Sequence, residues 1–418
     1  MSELKVVSLE ECLEKVIDYR GRTPKKLGKD WVKNGEYRAI SANNVKFDGL
    51  IREESIYRGD EELYKLWMKE EVEKGDILLT SEAPSGQAMI WDSDEKIILS
   101  QRLYALRVNK NLVDNSYLKY FIQSPLGQKS ITRNNSGSTV SGISAKTFKN
   151  IKILIPDLEN QQAISKFLLT IDQKIQVNNQ INQELEAMAK TLYDYWFVQF
   201  DFPDQNAKPY KSSGGKMVYN PELKREIPEG WGVDSLWNIA NFYNGLAMQK
   251  YRPDTNEDDY LPVIKIREMM NGFSKDTERA RLDIPSEAVV DRGDILFSWS
   301  ATLEVIIWGK EKGALNQHIF KVTSDTYPKS FIYFELKSYL KVFKAIAELR
   351  KTTMGHITQD HLKQAKIVVP PIELISKLDA KLQPIMLKQQ ILENQNQELT
   401  QLRDWLLPML MNGQVKVE

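Results

Sequence analysis

The sequence predicts an α+β fold made of two similar mixed α/β domains. A long helix follows each domain, and the two helices pair as an antiparallel coiled coil with pseudo-two-fold symmetry. Two observations predict this fold. Residues 72–78 (Val-Glu-Lys-Gly-Asp-Ile-Leu) recur as residues 290–296 (Val-Asp-Arg-Gly-Asp-Ile-Leu). A heptad-spaced apolar pattern also follows each copy of the mixed region.

The repeat covers nearly the whole chain of 418 residues. Equivalent landmarks occur in the same order in both halves: Ser8 and Ser235, Gly49 and Gly272, Gln101 and Gln317, Ile143 and Ile357, Pro156 and Pro370, Leu192 and Leu402, and Asp194 and Asp404. The difference in residue number falls steadily from 227 at the first pair to 210 at the last. An ancient duplication followed by small deletions leaves this pattern, and its period indicates two domains rather than a solenoid.

Short apolar segments bounded by glycine or proline predict the strands of each domain. The predicted strands are residues 76–80, 103–108, 151–156, 294–298, 319–322 and 365–370. The first and fourth of these begin at a Gly-Asp turn, and the third and last end at a proline. Because proline cannot donate to a sheet, it marks the natural end of a strand.

Apolar residues at heptad spacing predict two helices of roughly 40 residues, or about 60 Å at 1.5 Å per residue. The predicted seam residues are Ile164, Leu168, Ile171, Ile175, Leu185, Leu192 and Trp196 in the first helix, and Leu378, Ile385, Leu392, Leu399 and Leu406 in the second. A heptad seam requires a helical partner. The helices pair with each other, with another subunit, or with both.

Polar residues interrupt both seams. Asn178 and Asn182 lie on the first stripe, and Gln389 and Asn396 lie beside the second. Such residues either are buried and fix the register of pairing, or face water where the helix changes phase. Pro384 predicts a kink in the second helix or its effective start.

These patterns predict five segments along the chain. They are a mixed domain (1–157), a long helix (158–200), a Pro/Gly-rich linker (201–230), a second mixed domain (231–370) and a second long helix (371–418). Proline and glycine are dense in the linker, which argues against continuous helix or sheet there.

Composition indicates a globular cytoplasmic protein, with 42% hydrophobic and 27% charged residues. A single cysteine excludes a disulfide framework, and no apolar run is long enough for a membrane span.

The net charge is zero, but the charges are unevenly distributed. Residues 115–156 contain no Asp or Glu, and half of residues 20–29 are basic. Each basic stretch either binds a polyanion or is an ordinary solvated face.

Catalytic and metal-binding motifs are missing from the sequence. His356 and His361, two of the three histidines, have the wrong spacing for a zinc helix. The segment 137–142 has phosphate-loop glycines but no lysine after the second one. No Asn-Pro-Pro-aromatic run is present to hold an extruded adenine. We therefore expect no catalytic residue, no metal and no cofactor in this chain.

Several segments resemble the specificity subunits of type I restriction–modification enzymes. They are Gly-Arg-Thr-Pro-Lys at 21–25, residues 72–79, residues 143–156, and Ile-Pro-Asp-Leu-Glu-Asn-Gln-Gln-Ala-Ile at 155–164. The most specific is the joint from Phe-Asp-Phe-Pro (200–203) to Ile-Pro-Glu-Gly-Trp (227–231). The second half lacks Thr-Pro-Lys after Gly245, and this weakens the transfer of loop contacts to it.

The resemblance implies a DNA sequence-recognition subunit without turnover of its own. Its two mixed domains would be target recognition domains, each binding one half of a bipartite asymmetric site in double-stranded DNA. The long helices would set the spacing of the half-sites and dock two methyltransferase subunits, which hold S-adenosylmethionine. Two restriction subunits that use ATP and Mg²⁺ would complete the assembly.

Residue chemistry predicts which side chains contact DNA. Basic loop residues suit phosphates, and the candidates are Arg22, Lys25, Lys26, Lys129, Arg133, Lys146, Lys250, Arg252, Arg350 and Lys351. Arg suits guanine and Asn suits adenine, because each forms two hydrogen bonds to a base edge. The candidates for base contacts are Arg38, Asn43, Asn44, Arg102, Asn134, Asn135, Ser138, Lys265, Arg267, Trp299, His318, Thr352 and His356.

Each base-contact candidate also has an ordinary structural interpretation. Asn134-Asn135 is also typical of a turn, Trp299 of a core, and His318 of a buried imidazole with satisfied hydrogen bonds.

Two other functions compete with DNA recognition. One is an enzyme with degenerate motifs, and the other is a coiled-coil adaptor or an orphan specificity subunit without an active partner.

Overall fold

The computed structural model describes residues 4–136, 141–255, 259–349 and 356–417. The chain divides into two compact units. Unit 1 comprises Met1–Gln176 and Gln397–Glu418, and unit 2 comprises Val177–Asn396. The division falls inside both long helices, so each unit contains one mixed domain and a part of each helix.

Among its described residues, unit 1 begins with eleven strands and five short α-helices, followed by the first long helix. The strands are β1 (Lys5–Ser8), β2 (Leu13–Asp18), β3 (Tyr37–Ile40), β4 (Val45–Lys46), β5 (Gly49–Leu50), β6 (Tyr57–Gly59), β7 (Ile77–Thr80), β8 (Ala88–Ile90), β9 (Ile98–Leu99), β10 (Leu103–Val108) and β11 (Lys152–Ile155). The helices are α1 (Leu9–Cys12), α2 (Glu61–Trp67), α3 (Asn115–Gln123), α4 (Pro125–Arg133), α5 (Ala145–Lys149) and α6 (Leu158–Tyr193).

The main sheet of unit 1 has the order β2-β10-β7-β8, with antiparallel neighbours. Strand β10 is apolar on both faces, and successive side chains point to opposite faces of a sheet. Tyr104 and Leu106 therefore join one buried cluster, whereas Leu103 and Ala105 join another. Smaller sheets, β6-β3-β9, β1-β11 and β4-β5, complete this unit.

The elements of unit 2 follow the linker. The strands are β12 (Met217–Asn220), β13 (Arg225–Pro228), β14 (Gly232–Ser235), β15 (Asn241–Asn244), β16 (Leu261–Ile264), β17 (Arg279–Ala280), β18 (Val289–Val290), β19 (Ile295–Ser298), β20 (Glu304–Ile307), β21 (Gly313–Leu315), β22 (Ile319–Thr323) and β23 (Lys366–Val369). The helices are α7 (Leu236–Ile239), α8 (Ile266–Asn271), α9 (Lys329–Leu349), α10 (Gln359–Gln364) and α11 (Ile372–Met411).

Unit 2 repeats the main sheet of unit 1. Its order, β15-β22-β19-β20, is again antiparallel throughout. Strand β14 pairs with β23 as β1 pairs with β11, so the start and the end of each mixed domain are joined in the same way. The predicted duplication therefore corresponds to a repeated topology.

The linker contains a regular element that the sequence did not predict. Strands β12 and β13 form an antiparallel hairpin, in which Met217 lies opposite Pro228 and Asn220 opposite Arg225. The expectation that proline and glycine exclude sheet from the linker is therefore wrong for this segment. Strand β13 ends at Pro228, and Pro221 lies in the turn between the two strands.

Both long helices are present. Helix α6 continues into one π-helical turn at Asp194–Val198. Helix α11 begins at Ile372 and passes through Pro384, so the hypothesis that Pro384 starts the helix is wrong. Proline is best tolerated in the first turn, but the Pro370-Pro371 pair has already set the start of this helix.

The helices run antiparallel where they meet within unit 2. Asn178 Nδ2 donates to Asn396 Oδ1 at 2.8 Å, and Gln389 Nε2 donates to the Asn182 carbonyl at 3.2 Å. Residue numbers thus rise along one helix as they fall along the other, which confirms the predicted fold class. Asn178 is 0% exposed, so the buried alternative is correct for this residue.

The predicted seam residues are all at least partly buried. Ile164, Leu168, Ile171, Trp196, Leu378 and Leu392 are buried, and Ile175, Leu185, Leu192, Ile385, Leu399 and Leu406 are partly buried. In unit 1, Leu168 joins Leu407 and Leu410 in the core of the mixed domain. In unit 2, Leu378 joins the corresponding core. The seam residues therefore also attach each domain to the helices.

Candidate nucleic-acid interface

Three loops of unit 1 meet at Ser81, directly after β7. The Ser81 N–H donates to the Arg102 carbonyl at 2.9 Å, and the Ile143 N–H donates to the Ser81 carbonyl at 2.8 Å. Thr80 Oγ1 donates to the Pro84 carbonyl at 2.7 Å and holds the β7–β8 loop in place. Backbone groups thus fix this loop cluster and leave several side chains free to face solvent.

Arg102 is the most prominent side chain of the unit 1 cluster, with its side chain 48% exposed. Its Nε lies 3.5 Å from Glu82 Oε1. Arg102 has a φ of 60°, a left-handed conformation that a non-glycine residue rarely adopts. A surrounding structure must hold such a residue in place, so the backbone position of Arg102 is well defined.

Helix α4 lies against the same loops. Gln128 Nε2 donates to the Gly86 carbonyl at 2.9 Å, and Asn135 Nδ2 donates to Ser85 Oγ at 2.8 Å. The exposed cations Lys129 and Arg133 belong to this helix. The unit 1 cluster therefore has basic side chains beside it.

Unit 2 contains an equivalent loop cluster after β19. The Trp299 N–H donates to the His318 carbonyl at 3.3 Å, and the Ile357 N–H donates to the Trp299 carbonyl at 2.9 Å. Ser298 Oγ donates to the Thr302 carbonyl at 2.5 Å. These are the counterparts of the three bonds in unit 1.

The unit 2 cluster brings together three predicted base-contact residues. The Trp299 ring centroid lies 5.6 Å from that of His318 and 5.5 Å from that of His356. Trp299 is partly buried, packs against the core and donates its Nε1–H to Asn244 Oδ1 at 3.0 Å. Trp299 therefore packs against the core, as its structural interpretation predicts, but it is only partly buried and its indole N–H is hydrogen-bonded within the loop cluster.

The two histidines of this cluster have unused hydrogen-bonding capacity. Within the described residues, His318 Nδ1 and His356 Nδ1 are buried and have no hydrogen-bond partner. Gln317 Nε2 lies 3.4 Å from His318 Nε2. The interpretation of His318 as a fully satisfied imidazole is therefore wrong.

Two predicted base-contact residues are engaged by carboxylates of the same unit. Arg38 lies 2.9 Å from Glu53 and 2.5 Å from Glu95, and Lys265 lies 2.5 Å from Glu278. Hydrogen bonding to Glu95 and the nearby negative charge raise the pKa of Arg38, although burial opposes this. Both cations therefore have carboxylate partners within their own unit, and base contact by Arg38 and Lys265 stays a prediction.

Three further candidates are held in a similar way. Arg267 Nη2 lies 2.6 Å from Glu268. Asn44 is buried, and its amide donates to the Ile51 carbonyl at 3.3 Å. Arg22 donates to backbone carbonyls at the end of α2. These side chains hold local structure, a role that the sequence did not distinguish from DNA contact.

The remaining candidates divide between exposed residues and residues outside the described ranges. The exposed residues are Lys25, Lys26, Asn43, Lys129, Arg133, Asn134, Lys146, Lys250 and Arg252. Ser138, Arg350, Lys351 and Thr352 lie outside the described residues. Asn134 ends α4 and donates to the Ser130 carbonyl, so its turn interpretation is consistent with the structure.

Part of the acid-free segment is buried. Lys119 lies in the interior of unit 1, with its Nζ 3.6 Å from Asp172. Burial lowers the pKa of Lys119, and the charge of Asp172 partly offsets this effect. The basic side chains of this stretch are therefore only partly available at the surface.

Sequence analysis missed three residues of these clusters: Glu82, Asn244 and Gln317. Glu82 is acidic, and residue chemistry predicts mainly cations and amides as DNA contacts. The repeat offers a way to find such residues, because it aligns Gln101 with Gln317 beside the two predicted positions Arg102 and His318. Within the described ranges, no group of three or more His, Cys, Asp or Glu residues is arranged to hold a metal.

The family model of the type I restriction modification DNA specificity domain matches residues 1–187 and 228–401. The chain belongs to this family. It is a DNA specificity subunit of a type I restriction–modification system, and such subunits are not enzymes. The two matched segments correspond to the two copies of the internal repeat.

Two curated relatives and one solved structure are similar to this specificity subunit. The MjaIX specificity subunit of Methanocaldococcus jannaschii is 28% identical over 357 residues, which cover 82% of this chain and 78% of that protein. The HindI specificity subunit of Haemophilus influenzae is 26% identical over 415 residues, which cover 83% and 88%. The S subunit of M. genitalium has the same fold, with a TM-score of 0.57, 14% identity and coverage of 98% and 96%.

No helix among the described residues of this subunit is long and apolar enough to cross a membrane.

Proposed function

We propose that this specificity subunit recognises a bipartite, asymmetric site in double-stranded DNA. Residues 1–157 would contact one half-site and residues 231–370 the other. The observation that supports this proposal is the pair of loop clusters around Ser81 and Trp299. They have equivalent backbone bonds but different side chains, as expected if two domains of common origin recognise two different sequences.

Within each domain, the exposed cations would bind phosphates and the loop clusters would contact bases. Phosphate contacts fix the position of a protein on DNA, and contacts to base edges determine sequence preference. The proposed phosphate contacts in the described ranges are Lys25, Lys26, Lys129, Arg133, Lys146, Lys250 and Arg252. Arg102, Trp299, His318 and His356 are the proposed base contacts.

The long helices would set the distance between the half-sites. Helices α6 and α11 have 36 and 40 residues. At 1.5 Å per residue these are about 54 and 60 Å long. Half-sites contacted from one face of DNA lie about one helical turn, or 34 Å, apart. Helices of this length are sufficient to space two domains by such a distance.

The subunit would dock two modification subunits, which carry S-adenosylmethionine, and two restriction subunits, which use ATP and Mg²⁺. Exposed apolar side chains on the long helices support two equivalent docking positions. Val177 and Ile391 are equivalent in the repeat and are 46% and 49% exposed. Tyr195 and Trp405 both follow the repeated aspartate and are 36% and 64% exposed. Contact with a partner would remove this apolar surface from water. The whole assembly would act on DNA in the cytoplasm.

Native mass spectrometry of the assembled complex tests the docking proposal. Tyr195→Ala and Trp405→Ala should each weaken the binding of one modification subunit, so that complexes with a single copy accumulate. Tyr219→Ala is a matched control, because this tyrosine is 62% exposed but lies on the β12–β13 hairpin. Unchanged stoichiometry in both helix variants would contradict docking at these positions.

Salt-dependent DNA binding by the same complex tests the phosphate contacts. Replacing Lys129 and Arg133 with alanine should weaken binding to all sequences, and the slope of log affinity against log salt should fall by about one for each lost contact. Lys216→Ala, which removes an exposed lysine paired with Glu229, is the control. A slope that does not change would exclude these two residues as phosphate contacts.

A further inference from the structure

The two loop clusters share one backbone framework, which we call the loop frame. It comprises residues 80–84, 102 and 142–143 in unit 1, and residues 298–302, 318 and 356–357 in unit 2. Three equivalent hydrogen bonds hold it in both units. Ala83 and Ala301 also have nearly the same left-handed φ, 57° and 56°. The loop frame has therefore kept its geometry since the duplication.

The side chains on the loop frame differ at equivalent positions. Glu82 corresponds to Ser300, Arg102 to His318, Ser81 to Trp299 and Gly142 to His356. Backbone atoms and the buried hydroxyls of Thr80 and Ser298 make the bonds that hold the frame. Substitution at the four variable positions therefore leaves those bonds available, and the positions can change chemistry while the loops keep their shape.

In unit 1 the loop frame presents a guanidinium and a carboxylate side by side. Arg102 and Glu82 are 3.5 Å apart, and their side chains are 48% and 30% exposed. An exposed pair at this distance is weakly held, so each side chain can also form hydrogen bonds to DNA at small cost. An arginine donates two hydrogen bonds to guanine O6 and N7, and a glutamate accepts one from cytosine N4.

Gly142 makes room for this pair. The backbone of Gly142 bridges to Glu82, and a Cβ added at position 142 would lie 2.8 Å from both Glu82 Cβ and the Ser81 carbonyl oxygen. Any larger residue would displace Glu82. In unit 2, where position 300 is a buried serine, His356 occupies the equivalent place. Each unit therefore combines one small and one larger residue at these two positions: Gly142 with Glu82 in unit 1, and His356 with Ser300 in unit 2.

We propose that Glu82 and Arg102 together specify one guanine–cytosine pair in the half-site recognised by unit 1. Arg102 contacts the guanine, and Glu82 both orients Arg102 and accepts a hydrogen bond from the cytosine amino group. Trp299, His318 and His356 use the same loop frame in unit 2 to specify a base in the other half-site. This inference depends on the proposed function, since it assigns residues to the two half-sites.

Sequencing of N6-methyladenine in cells that carry the complete system tests the inference with four proteins: wild type, Glu82→Gln, Arg102→Ala and His318→Ala. Glu82→Gln and Arg102→Ala should relax the same guanine–cytosine position of one half-site. For Arg102→Ala we expect roughly 5- to 150-fold lower discrimination there, as for the loss of one bidentate base contact. The loss should be smaller for Glu82→Gln, because the amide oxygen still accepts a hydrogen bond but no longer carries the charge that orients Arg102. His318→Ala should change only the other half-site. Glu82→Gln is nearly isosteric, so its effect does not depend on loss of folding.

Three results are distinguishable. If the wild type produces a split motif, and Glu82→Gln and Arg102→Ala relax one position of it, the inference holds. If the wild type produces a split motif but these variants lower methylation evenly, without changing base preference, the loop-frame inference is wrong and the proposed function stands. If the wild type produces no split motif, the proposed function itself fails, and the inference fails with it.

Discussion

The two units attach their mixed domains to the long helices with different chemistry. In unit 1 an ionic cluster joins the domain to the helices, beside the apolar contacts of the seam residues. Asp172 on α6 accepts hydrogen bonds from Tyr120 Oη at 2.5 Å and from Arg403 Nη1 at 2.9 Å, and Lys119 Nζ lies 3.6 Å away. Lys119 and Tyr120 belong to α3, and Arg403 belongs to α11, so one carboxylate joins three helices.

In unit 2 the corresponding attachment is largely aromatic. Tyr193 on α6 stacks on Phe334 with ring centroids 5.0 Å apart, and it contacts Phe331 and Phe197 edge-on or tilted. The sequence repeat aligns Phe334 with Tyr120 of unit 1. Acids are also present here: the partly buried Glu335 accepts a hydrogen bond from Tyr193 Oη, and Glu186 accepts one from Tyr333 Oη.

The comparison shows which features have persisted since the duplication. The order of the main sheet and the loop frame are the same in both units, whereas the side chains that fill the domain–helix junction differ. A buried ionic junction tolerates truncation poorly, because loss of one partner leaves an uncompensated charge. An aromatic junction depends on the buried area and the shape of its rings, so it tolerates substitutions that conserve side-chain volume better. The two units should therefore respond differently to matched substitutions.

The largest expected effect is at the ionic junction. Asp172→Ala removes the only carboxylate that contacts both Lys119 and Arg403 among the described residues, and should destabilise unit 1 by about 3–5 kcal/mol. Hydrogen exchange should show loss of protection in α3 but not in α9. Asp194→Ala, which breaks a partly exposed pair with Lys190, should cost less than about 1 kcal/mol. Equal loss of protection in both units would contradict an ionic junction confined to unit 1.

The next largest effect depends on pH and concerns Glu335 in the junction of unit 2. Burial raises the pKa of Glu335 to about 7, although the hydrogen bond from Tyr193 opposes the shift. Because the folded pKa exceeds the unfolded value, the contribution of Glu335 to stability is fully present below about pH 4.5 and is lost as pH rises through 7. Glu335→Gln should therefore stabilise unit 2 by on the order of 1–3 kcal/mol at pH 8.

Chemical denaturation at pH 5 and pH 8, followed by tryptophan fluorescence, measures this difference. The gain from Glu335→Gln should be small at pH 5 and clear at pH 8. Glu186→Gln offers a comparison, since this partly buried acid also accepts a hydrogen bond from a tyrosine of α9, Tyr333. A gain that is the same at both pH values would show that Glu335 is not protonated in the folded protein at low pH.

The smallest effect concerns the polar layer of the coiled coil in unit 2. Asn178→Ala removes the donor to Gln395 and Asn396 and should cost about 1–2 kcal/mol, because both acceptors lie partly in water and can rehydrate. Gln180→Ala, an exposed residue of the same helix, should have no effect on the unfolding midpoint. A cost above that of Asp172→Ala would mean that the polar layer, rather than the domain junctions, dominates helix pairing.

Periodic and local patterns predicted much of the fold. Strand β10 was predicted at its observed bounds, and both long helices begin within one residue of their predicted starts, because apolar spacing reports directly which faces are buried. The repeat also predicted that Arg102 and His318 hold equivalent positions. Their carbonyls accept equivalent hydrogen bonds from Ser81 and Trp299.

The roles of individual charged residues could not be predicted in the same way. Arg38 pairs with Glu95, which lies 57 residues further along the chain, and no local pattern links them. Lys119 belongs to an acid-free segment, but its partner Asp172 is on α6. Such pairs depend on tertiary contacts, so a basic residue in the sequence does not reveal whether its charge is available to DNA.

The most direct test of the central claim is sequencing of N6-methyladenine across the host genome, with and without this gene. We predict that deletion abolishes methylation at one split motif, with two different half-sites separated by a fixed gap, and that the intact gene restores it. A methylation pattern that is identical in both strains would contradict the assignment of this chain as an active DNA specificity subunit.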